Sequence, residues 1–158
     1  MLQKAGVDLA NELCKNDPVR PDLPIGWRVE PCWKEVFYLP STYYSVSEDR
    51  YRDSIDAVLC VAHLNEIPID EDELLSFGHG NISVFYSVWS NKRGCGRQIV
   101  FDVWDLLKGQ HSNTQRYVTM SPKTEIAMKF HLDNGAILLQ ENPLTYNCLL
   151  YTSPSPRD

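Results

Sequence analysis

The sequence lacks the long apolar runs and clustered cysteines that mark membrane proteins and disulfide-rich or zinc-binding domains. No apolar run approaches the roughly 18 residues of a membrane-spanning helix. The five cysteines stand apart, at positions 14, 32, 60, 95 and 148, without a C-x-x-C pair. This spacing predicts neither a zinc site nor a disulfide framework. The first residues also lack a charged segment followed by an apolar one, so we expect a cytoplasmic protein that does not enter a membrane.

A basic surface is absent as well. The 21 acidic residues outnumber the 15 lysines and arginines, and the formal net charge is -6 at pH 7. A negative surface is repelled by the phosphates of nucleic acids and of anionic membranes, so neither is an expected partner. A cationic or amine-bearing partner is compatible with this charge.

Length and composition predict a single globular domain. With 158 residues and 43% apolar residues, the chain can bury roughly two thirds of its unfolded surface. Residues 1–26 contain three prolines and predict an irregular leader with one short helix over 7–13. The domain itself is expected over residues 27–147. Residues 148–158 read like a translated sequencing adapter, so we expect the natural chain to continue differently after 147 and its last strand to be truncated here.

Between residues 27 and 81 the pattern predicts one weak strand and two helices. Residues 27–37 give the strand signal, which Pro31 interrupts. A polar cap at 47–49 before an amphipathic run predicts a helix ending near Asn65. Residues 70–75 predict a further short helix before a glycine-rich reversal. The apolar face of the longer helix would consist of Ile55, Val58, Leu59, Ala62 and His63.

A strand, a glycine loop and a helix follow. Residues 82–89 are apolar at both alternating sets of positions, as in a central strand covered on both faces. The loop at 93–97 leads into an amphipathic helix over 97–108. Residues 116–120 predict a second strand, and 137–139 a last one.

The second helix of this region is expected directly after residue 120. Ser121 would serve as its N-cap and Pro122 would occupy its first turn. Ala127 and Phe130 share one face of the helix, and Gly135 would end it.

The glycine loop has the composition of a phosphate-binding site. Gly94 and Gly96 flank Cys95 and leave the main-chain N–H groups at a helix N-terminus uncovered, where phosphate binds. Arg93 and Arg97 add positive charge. Two glycines in a strand-to-helix turn are, by themselves, more often only a turn. The loop is neither a dinucleotide-binding G-x-G-x-x-G nor a Gly-Lys-Ser/Thr phosphate loop.

In context, residues 88–98 (VWSNKRGCGRQ) resemble motif A of the GNAT superfamily of acetyl-CoA-dependent N-acetyltransferases, written Q/R-x-x-G-x-G/A. Arg93 and Gly96 match that pattern, and Gln98 departs from it. The resemblance implies that the pyrophosphate of coenzyme A binds to the loop and that its pantetheine arm pairs with the strand edge at 86–89. The binding residues implied are Val88, Trp89, Arg93, Gly94, Cys95, Gly96, Arg97 and Gln98.

A second segment supports the first. Residues 127–136 are similar to the family's A-x-x-x-Y-x-x-x-G-F segment, with His131 at the tyrosine position. The resemblance gives this position the role of general acid toward the departing thiolate, which an imidazole with a pKa of about 6.5 can fulfil. The residues alone are equally compatible with a core histidine that bonds to a carbonyl group.

The resemblance implies an α/β fold of GNAT type: a mixed, mainly antiparallel sheet flanked by helices, with the strands 82–89 and 116–120 as a central parallel pair. The family's two-stranded meander is not evident between residues 62 and 80. The activity implied is direct acetyl transfer from acetyl-CoA, as co-substrate, to the primary amine of a small molecule, a peptide or a protein. An acidic run from Glu66 to Glu73 offers candidate bases, although such runs are usually solvated surface.

Two other interpretations remain open from the sequence. The first is a catalytically inactive module that binds acyl-CoA and serves as an accessory or regulatory protein. The second is a nucleotide- or phosphosugar-binding α/β protein that would use Gly94 and Gly96 for a phosphate but would not bind coenzyme A.

Overall fold

The computed structural model describes residues 1–24, 26–29, 33–110, 114 and 116–150. The strands of this part of the chain are β1 (Gln3–Lys4), β2 (Lys34–Ser45), β3 (Arg50–Leu64), β4 (Ile82–Ser90), β5 (Arg116–Thr119), β6 (Ser121–Pro122), β7 (Ile137–Glu141) and β8 (Thr145–Leu149). The helices are α1 (Val7–Cys14), α2 (Glu71–Ser76), α3 (Cys95–Gln110) and α4 (Glu125–Asp133). None of these helices is long and apolar enough to cross a membrane.

The strands form one mixed sheet. Its order is β1, β2, β3, β4, β5, β8 and β6, and β7 pairs with β8. β4 and β5 run parallel, with Ile82 opposite Arg116 and Phe85 opposite Thr119. The other recorded pairs of described strands are antiparallel. The predicted sheet, mainly antiparallel with a central parallel pair, is therefore confirmed.

Helices cover both faces of the sheet. α3 packs Ile99, Val103 and neighbouring apolar residues against one face, in a core that also contains Phe85 of β4. On the other face, Leu74 of α2 and Tyr86 of β4 belong to a second core, to which α1 contributes Ala10. β4 is thus buried on both sides, as its mostly apolar residues on both alternating sets predicted.

The helix predicted over residues 49–65 is wrong, because this segment is the strand β3. Leu59 faces the α3 core while Val58 and Cys60 face the α2 core. A strand that is apolar on both faces loses the alternation that identifies strands, and its apolar positions happened to match helical spacing. Pairing with β2 and β4 outweighs any local helical preference.

β2 and β3 also account for the meander that the sequence did not reveal. They pair from Lys34 opposite Ala62 to Ser45 opposite Arg50, and β3 continues directly against β4. Among the described residues of the weak strand predicted over 27–37, only those from Lys34 onward are extended, and they belong to β2. Pro31 lies outside the described residues.

The start of α4 differs from the prediction. Ser121 and Pro122 form the short strand β6 against β8, and Thr124 caps the helix with its hydroxyl oxygen, which accepts the N–H of Ala127 at 3.1 Å. Proline is tolerated in such a strand because an edge position leaves its missing N–H unneeded. The predicted end is confirmed, since α4 stops at Asp133 and Gly135 follows with a φ of 92°.

The C-terminal segment extends the sheet beyond residue 147. Cys148 lies in β8 and is fully buried in the α3 core. Residues 151–158 lie outside the described part of the chain. The adapter origin of residues 148–158 and the proposed domain limits stay predictions.

Candidate functional site

The parallel strands β4 and β5 diverge in the middle of the sheet. Their pairing ends at Phe85 opposite Thr119, with one further bond from the N–H of Met120 to the carbonyl of Phe85 at 3.2 Å. β4 continues to Ser90 along β3 only. It also bulges at Tyr86, because the register against β3 shifts at this point. The outer edge of β4 beyond Phe85 is therefore open.

Arg20 holds this gap from the α2 side of the sheet. Its buried guanidinium group donates to the carbonyl oxygens of Tyr86 on β4 and Met120 after β5. A third contact joins it to the Glu71 carboxylate at 3.4 Å. Burial lowers the pKa of Arg20, and the negative charge of Glu71 opposes that effect. The two strands are thus joined by a side chain where they no longer bond to each other.

A cleft of about 310 Å³ occupies the gap. Its walls are β4 from Phe85 to Ser90, Gly96 at the start of α3, the segment 120–122, and α4. A side-chain carbon on Gly96 would lie 3.5 Å from both Ser90 and Phe130. Glycine therefore keeps the α3 end of the cleft open. Among the described residues that line the cleft, none is an aspartate, glutamate, lysine or arginine.

The loop before α3 presents unpaired main-chain donors. Gly94 has a φ of 85°, which favours glycine, and no atom lies within 4 Å of a Cβ built on it. The N–H groups of Cys95 and Gln98 donate to carbonyl oxygens of the loop itself at 3.1 Å. Those of Gly94, Gly96 and Arg97 have no recorded partner among the described residues. Three free donors therefore cluster at the positive end of α3.

Positive charge surrounds these donors. Arg93 is exposed at the loop, and the first turn of α3 contains no acidic residue. Arg97 donates to the side chain of Asn134 at 2.9 Å and lies over the ring of Phe101 at 4.7 Å. The contact with Asn134 joins the start of α3 to the end of α4, so the loop and the helix that carries His131 are positioned together.

His131 lines the cleft from α4 and is only 7% exposed. Burial lowers its pKa from 6.5 to about 4. The imidazole is therefore neutral near pH 7, and it can donate one hydrogen bond but holds no additional proton. This differs from the ordinary pKa on which its expected role as a general acid was based.

The acidic run that offered candidate bases stabilises α2. Asp70 caps the helix by accepting the N–H of Glu73 at 2.9 Å, and Glu73 accepts the N–H of Ile69 at 3.0 Å. Glu71 pairs with Arg20. None of these carboxylates lines the cleft.

The predicted site residues fall into two groups. Val88, Trp89, Gly96 and His131 line the same cleft. The remaining five lie at or next to the α3 start, and of these Cys95 is buried in the α3 core while Gln98 is exposed and within 3.5 Å of Asp102. This second group consists of Arg93, Gly94, Cys95, Arg97 and Gln98.

For several residues at the cleft, no sequence pattern indicated a functional role. Val19, Ser87 and Ser121 line it, and Arg20 spans the gap beneath it. They come from a proline-rich segment, a strand and a strand end, and only the sheet topology brings them together. The bulge at Tyr86 likewise depends on the register against β3, which no local pattern encodes.

No protein-family model matches this sequence, and no curated protein matches it. Solved structures do resemble it. Malonyl-CoA decarboxylase from Agrobacterium vitis matches with a TM-score of 0.59 and 18% identity, over 77% of this chain and 33% of that one. This chain thus spans about a third of that enzyme's length.

Two acetyltransferase structures match over almost their whole length. A Bacillus subtilis acetyltransferase in complex with CoA has a TM-score of 0.57 and 11% identity, over 94% of this chain and 96% of that one. A chimera of the Vibrio cholerae spermidine N-acetyltransferase has a TM-score of 0.52 and 9% identity, over 94% and 92%. At such identities the likeness concerns the fold, and the fold of this chain is GNAT-like.

Proposed function

We propose that this protein transfers an acetyl group from acetyl-CoA to a primary amine. The observation that supports the proposal is the position of the three free N–H groups of Gly94, Gly96 and Arg97 at the α3 end of a cleft along the open edge of β4. Acetyl-CoA is a long ligand with a pyrophosphate near one end and a thioester at the other. The loop offers donors to the first, and the cleft offers a channel to the second.

The loop would bind the pyrophosphate mainly through its main chain. A hydrogen bond to a charged group contributes about 1.5–3 kcal/mol, and the helix dipole adds about 0.3–1 kcal/mol. Arg93 would add a positive charge at the entrance. The amide groups of the pantetheine arm would pair with the open edge of β4, as an added strand does.

The reaction needs little from side chains. A neutral amine attacks the thioester carbon, the C–N bond forms, and the C–S bond breaks to release a thiolate. A free main-chain N–H of β4 would stabilise the negative oxygen of the intermediate. His131, neutral at its lowered pKa of about 4, would donate a hydrogen bond to the departing sulfur. The proton of the amine would leave through water, because no carboxylate of the described residues lines the cleft.

The acceptor class follows from charge more than from the cleft. With a formal net charge of -6, the protein attracts cationic amines, whether small molecules or amines of peptides and proteins. The spermidine N-acetyltransferase of similar fold is named for such an amine. An inactive acyl-CoA-binding module would share the binding step and lack turnover.

A second candidate function is decarboxylation of malonyl-CoA. Two observations favour it. The first is the likeness to malonyl-CoA decarboxylase over 77% of this chain. The second is that, in the part of the chain that the structure describes, no carboxylate base lines the cleft to receive the proton of an amine. This reaction needs no amine. It would use the same loop and the same channel for the coenzyme.

Calorimetric titration with coenzyme A tests the binding step. We expect saturable binding to the wild-type protein and at least tenfold weaker binding to Gly96→Leu, whose side chain would extend from the α3 start toward Ser90 and Phe130. Gly109→Leu is the control, because a Cβ on Gly109 meets no atom within 4 Å. Absence of binding to the wild type, or equal binding to both variants, contradicts the proposal.

Product analysis then separates the two reactions. Acetyl-CoA with a panel of amines, spermidine included, should yield free coenzyme A and an acetylated amine. Malonyl-CoA without an amine should remain intact. If acetyl-CoA forms from malonyl-CoA and no amine is acetylated, the function is decarboxylation and not acetyl transfer. Binding of coenzyme A without any product would favour the inactive module.

A further inference from the structure

Two cysteines from distant parts of the chain meet on the face of the sheet that carries α1. Cys14 ends α1, and Cys60 lies in the middle of β3. Their sulfur atoms are 3.8 Å apart, and both are free thiols. A disulfide requires a sulfur–sulfur distance of about 2.05 Å, so the two sulfur atoms must approach each other before the bond can close.

Only one of the two thiols is open to a reagent. Cys60 is fully buried, whereas Cys14 is half-buried. Cys14 also lines a second pocket of about 180 Å³, between α1 and residues 21–24, 26 and 28. A small oxidant can therefore reach the sulfur of Cys14, and Cys60 lies directly behind it.

The charges around the pair assign different roles to the two sulfurs. The hydrogen bond from Cys60 lowers the pKa of Cys14, and the positive charge of Arg28 acts in the same direction against the effect of burial. Burial raises the pKa of Cys60. Arg28 also donates to the sulfur of Cys60 at 3.4 Å. Cys14 is thus the more nucleophilic sulfur, and Cys60 is the thiol held ready to react with its oxidised form.

We infer that Cys14 and Cys60 form an oxidation site that takes a small two-electron oxidant, such as hydrogen peroxide, and closes an intramolecular disulfide. The Cys14 thiolate attacks one peroxide oxygen, the O–O bond breaks, and a sulfenic acid and hydroxide form. The Cys60 thiol then attacks the sulfenic sulfur, the S–S bond forms, and water leaves. Both sulfurs are oxidised by one electron each, and the peroxide is reduced to one hydroxide and one water. The hydroxide becomes a second water by taking the proton that the Cys14 thiol released when it ionised.

The site is connected to the candidate cleft through a buried polar network. Arg28 pairs with Asp17 at 2.6 Å, and the same carboxylate oxygen accepts the hydroxyl of Ser87 at 2.8 Å. Ser87 lines the cleft. Closing the disulfide moves the Cys60 sulfur, to which Arg28 donates. Oxidation therefore affects Arg28, which is connected to Ser87 in the cleft through Asp17. The disulfide itself does not depend on the proposed acyl transfer.

Thiol counting in denaturant tests the inference on the intact 158-residue chain. After mild peroxide treatment the number of titratable thiols should fall from five to three, the mass should fall by two hydrogen atoms, and dithiothreitol should reverse both changes. A peptide map of the wild type should link residue 14 to residue 60. This map needs no variant and decides the question even where a variant fails to fold.

Two variants supply matched controls. Cys14→Ser should retain its four thiols under the same treatment, whereas Cys95→Ser should lose two of its four, because Cys95 is buried at the start of α3. The inference is overturned if the linked peptides join other cysteines, if Cys14→Ser loses two thiols, or if the wild type only gains the mass of oxygen atoms.

Discussion

At the residue scale, His131 combines two properties that favour different roles. It lines the cleft that the proposed function requires, and it is 7% exposed with a pKa of about 4. A group with this pKa is a weak base and carries almost no additional proton at pH 7, so in the proposed reaction it would act by donating a hydrogen bond. The same burial also couples the histidine to the stability of the fold, which provides a test independent of any ligand.

The sign of this coupling follows from the two pKa values. Below pH 6.5 the unfolded chain binds a proton at residue 131, while the folded protein stays neutral there down to about pH 4. Stability contributed by the neutral form is therefore complete above pH 6.5 and is lost as the pH falls toward 4. At one pKa unit per 1.36 kcal/mol the full loss is about 3 kcal/mol, and about 2 kcal/mol is lost by about pH 5.

We predict that His131→Asn reduces this acid sensitivity. Urea unfolding at about pH 7.5 and about pH 5 should show a drop in unfolding free energy about 2 kcal/mol smaller in the variant than in the wild type. His79→Asn is the control, since His79 is exposed and its replacement should leave the drop unchanged. An equal drop in wild type and His131→Asn would show that burial does not depress this pKa.

Part of the candidate site could be predicted from local sequence patterns. The other residues meet only in the folded structure and could not be predicted. Gly94 and Gly96 were identifiable because a helix start without side chains has a sequence signature. Cys14 and Cys60 are 46 positions apart and had none, so the cysteine spacing indicated no pair. The role of Arg20 could not be predicted either, because a sequence does not distinguish a buried arginine that bonds to carbonyl oxygens from an arginine on the surface.

At the element scale, the region after residue 81 was predictable because its elements follow local rules. β4 is a short apolar run, and α3 has one apolar stripe bounded by a glycine loop. β3 does not follow these rules. It is 15 residues long, longer than a typical strand, and its later residues are buried on both faces, so polar and apolar residues do not alternate clearly. Its identity is decided by β2 and β4, which lie on either side of it.

The close approach of Gly80, just before β4, to the end of β3 provides a test of this arrangement. A Cβ on Gly80 would lie 2.3 Å from the Cα of Asn65 and 2.6 Å from the carbonyl oxygen of Leu64, both of which are main-chain atoms. These contacts cannot be relieved by a side-chain rotation. Gly80 N–H also donates to the carbonyl of His63 at 3.2 Å, so the end of β3 is held by the backbone that the substitution would displace.

We predict that Gly80→Ala lowers the unfolding free energy by about 3 kcal/mol, the upper part of the range for overpacking. Gly78→Ala is the matched control two residues away, because its nearest neighbour is the Asn65 side-chain nitrogen at 3.9 Å. It should cost less than about 1 kcal/mol. Chemical denaturation of both variants measures the difference. Similar values for the two would be incompatible with the close packing of Gly80 against the end of β3.

At the scale of the whole molecule, the N-terminal segment holds the two halves of the sheet together. Asp17 accepts hydrogen bonds from the N–H groups of Val19 and Arg20 and pairs with Arg28. This places the Arg20 guanidinium across the gap between β4 and β5, where main-chain pairing has ended. A segment expected to be an irregular leader is thus packed against the centre of the fold.

Arg20 connects β4 to the end of β5 through two hydrogen bonds that a substitution can remove. Arg20→Met keeps much of the side-chain volume but leaves the carbonyl oxygens of Tyr86 and Met120 without their buried donor. An unsatisfied buried acceptor costs about 1–3 kcal/mol, so we expect the unfolding free energy to fall by about 3 kcal/mol. Glu71→Gln, the control, removes only a carboxylate that is 38% exposed, and such partly exposed pairs contribute about 1 kcal/mol or less.

Hydrogen exchange separates this effect from general destabilisation. If Arg20 holds the gap, the amides of β4 beyond Phe85 should lose more protection in Arg20→Met than those of β2, which pairs only with β1 and β3. Uniform loss across the sheet, or a cost no larger than that of Glu71→Gln, would mean that β4 and β5 hold their separation without the guanidinium. A loss of protection confined to β4 beyond Phe85 would show that the N-terminal segment, as well as the strands, determines the width of the cleft.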